Sequence, residues 1–330
     1  MQLIDVLEAR RRIAAYVRRT PLVASAWLSD FTSAHVHLKL ESLQISSSFK
    51  ARGAFNAVAA RLERGGRAAQ LVTASAGNHG RALAAAAERF KWPLVVFTPA
   101  NAPRAKLDAI RRHGATLRAE AADYDDAERR AKAFAAEAGG DFVSPYNDAD
   151  VIAGAATVAL EVIEDRPSVG VFVVPIGGGG LISGVAAAAK AISARCEVVG
   201  VEVEASCAFL TSVRAGHLVE ITPGPTLADG LGGNPDPETI TFALIRRFVD
   251  RIVTVSEPDL ASAIVGLVES EHLVSEGAGA AATAALLGRR VDVSGRDVVA
   301  LVSGANIDRA VLAGLLEAAG RRSDVRQNVG

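Results

Sequence analysis

One uncharged stretch, residues 169–189, limits the possible folds more than any other part of the chain. It is long enough to cross a membrane, but Pro175 and four glycines at 177–180 interrupt it, and lipid does not tolerate that much unpaired backbone. We therefore interpret it as a buried strand, a glycine turn and an Ala-rich helix. Residues 71–87 repeat this order, and two such turns suit a ligand with two negative groups. The ordinary rhythm of a βα protein explains the repeat equally well.

Strand-like segments alternate with Ala-rich, helix-favouring stretches such as residues 81–90 and 125–138. The predicted strands cover residues 36–40, 71–73, 94–97, 116–118, 171–174, 197–203, 251–255 and 298–302. This order predicts an α/β protein with open, mainly parallel sheets flanked by helices. No Pro- or Ser-rich linker divides the chain, so a second lobe must be formed by a segment that leaves and re-enters one fold.

The composition describes a well-buried globular protein with a small ligand. Of the 330 residues 50% are hydrophobic, and a net charge of -1 gives no electrostatic reason to expect nucleic acid or membrane partners. Cys196 and Cys207 are too few for a disulfide framework and lack metal-ligand spacing, which indicates reduced thiols and a cytoplasmic location. Asp5 and Glu8 interrupt the basic N-terminal run, so we expect an amphipathic first helix there.

Lys50 follows three serines and Phe49 in the segment ESLQISSSFKARGAF at 41–55. A lysine that packs against an aromatic ring and is removed from water has a lowered pKa, as an amine that forms a Schiff base requires. Taken alone, this segment fits an ordinary surface lysine better.

Five short motifs change that interpretation. They are SFKARGA at 48–54, SAGNHG at 75–80, PIGGGGL at 175–181, EGAGA at 276–280 and SGAN at 303–306. In their order and spacing, the chain resembles the threonine dehydratase and serine racemase family of tryptophan-synthase-like pyridoxal 5′-phosphate (PLP) enzymes, closest to short dehydratases without a regulatory domain. The resemblance extends from residue 19 to about residue 308.

The resemblance implies a two-lobed, tryptophan synthase β-like fold with PLP between the lobes. The large domain would comprise residues 1–69 and 149–330, and the small domain residues 70–148. A homodimer is the usual assembly of such folds.

The same resemblance assigns roles to individual residues. Lys50 would carry the cofactor as a Schiff base and take the Cα proton, and Phe49 would support one face of the pyridine ring. The glycine turn would surround the cofactor phosphate, because consecutive amides converge without side-chain clashes only at glycine. The phosphate-binding residues would be Gly177, Gly178, Gly179, Gly180 and Leu181.

The asparagine turn would contact both cofactor and substrate. Asn78 would bind the ring hydroxyl, and Asn147 is also expected near the cofactor. Ser75, Gly77, Asn78 and His79 would receive the substrate carboxylate. For His79 we favour a second interpretation, that of a packed and hydrogen-bonded residue.

Ser303 bears on the kind of reaction. It matches the residue that faces the pyridine nitrogen, and a hydroxyl cannot keep that nitrogen protonated as a carboxylate would. The resulting weaker electron sink favours prompt loss of a β-leaving group over transamination. The expected activity is therefore that of an ammonia-lyase (dehydratase) that converts a β-hydroxy-α-amino acid, L-threonine or L-serine by default, to a 2-oxo acid and ammonia.

Alternative activities within the family remain open. Serine racemases carry a second serine at the position of Ala76, and a methyl group cannot serve as their acid/base, so racemisation is a less favoured alternative. Threo-3-hydroxyaspartate and a hydroxyectoine-derived amino acid are alternative substrates. Arg52, Arg81 or another arginine in the cleft would then receive the extra carboxylate.

Glu202 matches a metal-ligating acid of some relatives, which raises the expectation of a divalent or monovalent cation. The further acid expected a few residues later is missing, and a hard cation prefers several oxygen ligands. A solvated or ion-paired acid at a strand end is the other interpretation of Glu202.

The chief alternative from another class is an NAD-dependent oxidoreductase, because a glycine turn follows a strand and Glu202 lies where a ribose acceptor would. Gly178 and Gly180 supply two glycines of that fingerprint, but the third position is Ser183, and Lys50 would have no role. A second alternative is a non-catalytic relative that serves as a binding module. The complete set of motif residues argues against it.

Overall fold

The computed structural model describes residues 1–66 and 68–327, and it contains two sheets. The strands are β1 (Leu22–Ala24), β2 (His35–Leu40), β3 (Leu71–Ala74), β4 (Leu94–Pro99), β5 (Thr116–Ala121), β6 (Asp141–Phe142), β7 (Val171–Pro175), β8 (Glu197–Val203), β9 (Arg251–Val255) and β10 (Asp297–Val302).

Helices flank both sheets. They are α1 (Leu3–Ile13), α2 (Ala26–Thr32), α3 (Lys50–Glu63), α4 (Asn78–Arg89), α5 (Arg104–Arg111), α6 (Tyr124–Glu137), α7 (Ala149–Asp165), α8 (Gly180–Ile192), α9 (Ala208–Ala215), α10 (Ile240–Phe248), α11 (Glu257–Glu271), α12 (Gly277–Leu287) and α13 (Arg309–Gln327). Among the residues described, no helix combines the length and apolar character that a membrane crossing needs.

The larger sheet has six strands in the order β1-β2-β10-β7-β8-β9. All neighbours are parallel except β1 and β2. Strand β7 is buried on both faces: Val171 and Val173 join one core cluster, while Phe172 and Val174 join another. Burial on both faces explains why β7 is apolar throughout instead of alternating, as expected for a parallel strand covered by helices.

The smaller sheet has the order β5-β4-β3-β6 and is parallel throughout. Leu71 and Val96 pack against α3 and α4, whereas Val72 and Val95 pack against α6. All four strands lie between residues 71 and 142. The division of the chain into domains 1–69 with 149–330 and 70–148 stays a prediction.

The predicted α/β fold with mainly parallel sheets is confirmed. All predicted strands are present, and the antiparallel β1 and the two-residue β6 were not predicted. The expected N-terminal helix is α1, which buries Val6, Ala9 and Ile13. Three of the motifs lie where β3, β7 and β10 end, so the carboxyl ends of the parallel strands position them.

Candidate active site

Lys50 is the first residue of α3, and the SGAN motif holds the segment before it. The Phe49 N–H donates to the carbonyl oxygen of Ser303 at 3.0 Å, and the Ala305 N–H donates to the carbonyl oxygen of Ser47 at 2.9 Å. Between these bonds, Ser48 and Gly304 form an antiparallel bridge. The first and last motifs of the chain therefore lie side by side.

Lys50 is a partly buried residue. Its Nζ donates to the carbonyl oxygen of Pro145 at 2.7 Å and lies 5.1 Å from the centroid of the Phe49 ring. Burial lowers the pKa of Lys50 to about 8, against the opposing effect of the Glu276 carboxylate. A lysine with this pKa supplies far more neutral, nucleophilic amine near physiological pH than an exposed lysine does.

Asn78 connects the asparagine turn to two other motifs. It begins α4, its Nδ2 donates to Oε1 of Glu276 at 2.6 Å, and its Oδ1 accepts from Nδ2 of Asn306 at 2.5 Å. Glu276 precedes α12 and is 6% exposed, so burial raises the pKa of its carboxyl to about 7, although the Asn78 hydrogen bond acts in the opposite direction. The carboxyl group therefore titrates close to neutral pH, within reach of the Lys50 charge.

The glycine turn leaves no room for side chains. A Cβ on Gly178 would lie 2.2 Å from the Tyr146 ring, and a Cβ on Gly177 would lie 2.6 Å from the carbonyl oxygen of Gly230. Gly179 has a φ of 87°, in the left-handed region, which lets α8 begin at Gly180. Tyr146 follows Pro145, the acceptor of the Lys50 bond, so the turn and the lysine share one wall.

The backbone donors of this turn have no acceptor among the residues that the structure describes. Within residues 1–66 and 68–327, no acceptor receives a hydrogen bond from the N–H groups of Gly177, Gly178 or Gly179. Gly179 is buried, and buried N–H groups nearly always have a partner, so unpaired donors at a helix N-terminus indicate an anionic ligand. Leu181 lies in the first turn of the same helix.

The structure places Ser303 close to the lysine segment. It is 4% exposed, and its hydroxyl donates to the carbonyl oxygen of Ala278 at 3.3 Å. No carboxylate replaces it at the end of β10, because the residues that follow are Gly304, Ala305 and Asn306.

Other predicted residues are engaged in local contacts. Oδ1 of Asn147 accepts from the Ile240 N–H at 3.0 Å, and the Ser75 hydroxyl accepts from the Gly77 N–H at 3.2 Å. His79 is 2% exposed, and its Nε2 lies 3.3 Å from the carbonyl oxygen of Val143. Burial, together with the nearby Lys50 charge, lowers the pKa of His79 to about 3. These contacts agree with the packed interpretation of His79, and its substrate role stays a prediction.

Glu202 lies against the start of a helix. Its two carboxylate oxygens accept from the N–H groups of Phe209 and Leu210 at 2.8 and 2.7 Å, in the first turn of α9. Burial raises its pKa to about 7 despite these bonds. Among the described residues, no group of three or more His, Cys, Asp or Glu side chains gathers as a metal site. A cation at Glu202 stays a prediction.

The two arginines considered for an extra substrate carboxylate differ in their surroundings. Arg52 is 1% exposed and forms ion pairs with Glu41 and Glu161 at 2.8 and 2.6 Å, so its charge is already neutralised. Arg81 is half-buried, and in the part of the chain described it forms no ion pair with a carboxylate.

Sequence reasoning did not assign roles to three residues of this site. Glu276 and Asn306 were inside the quoted motifs, but only the fold shows that both contact Asn78. Tyr146 had no signal in the sequence, because its position over Gly178 depends on the packing of two distant segments.

An amine of lowered pKa next to a turn of free N–H donors suits a ligand with a carbonyl carbon and a phosphate. Among α/β enzymes, this combination defines those that hold a carbonyl cofactor on a lysine. The family described as pyridoxal-phosphate dependent enzyme matches residues 13–304, and the chain belongs to this family.

Individual relatives agree with this assignment. An L-threonine ammonia-lyase from Thermotoga maritima is 42% identical over 92% of this chain and 75% of its own length. The crystal structure of a T.th. threonine deaminase has a TM-score of 0.86 and 35% identity, covering 93% of this chain and 99% of that one. The structure of maize serine racemase has a TM-score of 0.89 and 30% identity, covering 98% and 99%. The predicted family, fold and PLP cofactor are confirmed, and the NAD-dependent alternative is set aside.

Proposed function

We propose that this protein is a PLP-dependent ammonia-lyase that converts a β-hydroxy-α-amino acid, L-threonine or L-serine, to a 2-oxo acid and ammonia. The observation that carries the proposal is the Lys50 amine, with its pKa lowered to about 8, on the wall it shares with the glycine turn. The names of the threonine ammonia-lyase and threonine deaminase relatives support the same reaction.

The residues present fit the cofactor. The free N–H donors of Gly177, Gly178 and Gly179 would hold its phosphate, Lys50 would bond to its carbonyl carbon, and Asn78 would bind its ring hydroxyl. PLP, when bound, supplies the electron sink that makes the Cα proton of an amino acid removable.

Lys50 has two tasks in this proposal. It would hold the cofactor before the substrate binds, and its amine, once free, would remove the Cα proton. The electron pair left on Cα would expel the β-hydroxyl, which would leave as water, and the proton that it takes up balances the one that Lys50 removes from Cα. The released enamine hydrolyses to the 2-oxo acid and ammonia. A pKa of about 8 keeps a useful fraction of the amine neutral, as a general base near neutral pH requires.

Two neighbouring side chains favour elimination over other outcomes. Ser303 has a hydroxyl, which would not hold the ring nitrogen of the cofactor protonated, and the weaker electron sink that results would favour loss of the β-leaving group. Ala76 offers no acid or base on the opposite face of Cα, so it does not support a second proton transfer that would invert the substrate.

The assembly and the location belong to the same proposal. We expect a cytoplasmic homodimer whose protomers each hold PLP between residues 1–69 with 149–330 and residues 70–148. The separate small sheet within residues 71–142 supports this division.

A steady-state assay of 2-oxo acid release tests the function and its substrate. The panel comprises L-threonine, L-serine, threo-3-hydroxyaspartate and the hydroxyectoine-derived amino acid, each with the Lys50→Ala variant as control. The proposal predicts the highest kcat/KM for threonine or serine and no turnover by the variant. A panel in which the protein only inverts serine would contradict the proposal.

A further inference from the structure

We propose that Arg81 is a positioning residue of the cofactor site, which fixes the direction of the Asn78 carboxamide through Asn306. The inference deepens the proposed function, because it rests on Asn78 as a contact of the cofactor. Three hydrogen bonds carry it, and they join α4, the SGAN motif and the residue that precedes α12.

The chain of bonds starts at a group that can only donate. Nη1 of Arg81 donates to Oδ1 of Asn306 at 2.5 Å, and a guanidinium has no acceptor atom. The oxygen of the Asn306 carboxamide must therefore face Arg81. Its Nδ2 faces the other way, where it donates to Oδ1 of Asn78 at 2.5 Å and to the carbonyl oxygen of Ser46 at 3.0 Å.

The orientation of the Asn306 carboxamide also affects the orientation of the Asn78 carboxamide. Because Oδ1 of Asn78 is occupied as an acceptor, its Nδ2 is turned towards Glu276 and donates to Oε1 at 2.6 Å. A flipped Asn78 would bring its NH2 group against the NH2 group of Asn306 and would take its donor away from Glu276. Arg81, together with the Ser46 carbonyl oxygen, therefore favours the orientation in which Asn78 keeps Oδ1 towards Asn306 and Nδ2 towards Glu276.

Among the described side chains, Arg81 has no carboxylate partner. It is half-buried, and burial together with the neighbouring Arg112 lowers its pKa. No carboxylate in the described ranges pairs with it, whereas the buried Arg52 pairs with two. Burying half of a cation without a counter-charge raises the free energy of the folded protein. The bond to Asn306 is the side-chain contact that the position of Arg81 provides.

Cofactor affinity tests this role without a substrate. The apoprotein is titrated with PLP alone, and the visible circular dichroism of the bound cofactor is recorded. Arg81→Met removes the donor and is expected to weaken PLP binding about tenfold and to change the dichroism band. Arg81→Lys retains a donor and is expected to recover most of the affinity.

The matched control is Arg89→Met, which removes an exposed arginine from the last turn of the same helix, where it stacks on Tyr16. It is expected to bind PLP as the wild type does. Thermal melting of the three apoprotein variants identifies any loss of fold.

A double-mutant cycle separates action through Asn78 from a general structural effect. If Arg81 acts through Asn78, Arg81→Met is expected to cost less than about twofold in affinity when Asn78→Ala is already present. An equal loss in both backgrounds, or an Arg81→Met protein that binds PLP like Arg89→Met, would contradict the inference. Absence of lyase activity in the wild type would instead contradict the proposed function, and the PLP titration would be unaffected.

Discussion

The Nζ of Lys50 lies 2.7 Å from the carbonyl oxygen of Pro145, which joins the start of α3 to the loop after β6. A carbonyl oxygen can only accept, so it can hold the amine in either protonation state without neutralising a positive charge. Burial outweighs the opposing effect of the Glu276 carboxylate and lowers the pKa of Lys50 to about 8. The residue next to this acceptor, Tyr146, covers the glycine turn, so the loop after β6 contacts both Lys50 and the glycine turn.

Capture of PLP by the apoprotein is expected to follow the titration of Lys50. The neutral amine is the nucleophile, so the rate of capture rises with pH and levels off above about 8. The measurement is stopped-flow absorbance over a range of pH values. Reaction of PLP with a free lysine derivative, whose pKa is about 10.4, corrects for the titration of PLP itself. A corrected rate that still rises well above pH 8 would show that the site does not lower this pKa.

Gly178→Ala is expected to weaken PLP binding by at least about tenfold, because its Cβ would lie 2.2 Å from the Tyr146 ring and the turn would have to move. Equilibrium titration of the apoprotein with PLP measures the change. Gly314→Ala is the control, since nothing lies within 4 Å of a Cβ at this position in α13. Equal affinity in both variants would exclude the turn as the phosphate site.

Arg52→Met is expected to lower the free energy of unfolding by about 3–5 kcal/mol, because it leaves the buried Glu41 and Glu161 carboxylates without this partner. Urea unfolding of the apoprotein measures the effect. Arg64→Met, at the residue directly after the same helix, removes an arginine that is 59% exposed and pairs with Asp150, and it is expected to cost less than about 1 kcal/mol. Similar losses in the two variants would contradict the assigned importance of the buried pairs.

Ala76→Ser is expected to give the protein measurable inversion of L-serine, since a hydroxyl is then available on the opposite face of Cα. Chiral chromatography of serine after incubation measures this gain. Ala122→Ser, at an exposed position directly after β5, is the control and is expected to form no D-serine. If Ala76→Ser forms none either, the proposed reason for the lack of racemisation is wrong.

Strands such as β7 and β8 were predictable because parallel strands covered on both faces are mainly apolar and β-branched. Strands β1 and β6 have three and two residues, too short for such a pattern. The motifs indicated Lys50, Asn78 and the glycine turn. They did not indicate that Glu276 accepts a hydrogen bond from Asn78. A contact between residues 198 positions apart depends on how the two sheets pack relative to each other.

The partners of the two arginines could not be predicted from the sequence either. Arg52 and Arg81 were equivalent candidates for an extra carboxylate, and their surroundings distinguish them. Arg52 lies among residues from β2, α7 and the turn at Glu41–Leu43, where two carboxylates neutralise it. This arrangement arises only when those segments pack together.

Borohydride reduction of the PLP-loaded protein, followed by peptide mass spectrometry, tests the central claim most directly. Reduction makes the bond between the cofactor and its lysine permanent, and the account predicts the added mass on the peptide that contains Lys50 and none in the Lys50→Ala variant. A label on another lysine, such as the buried Lys39 or Lys106 of α5, or a wild-type protein without label, would contradict the account.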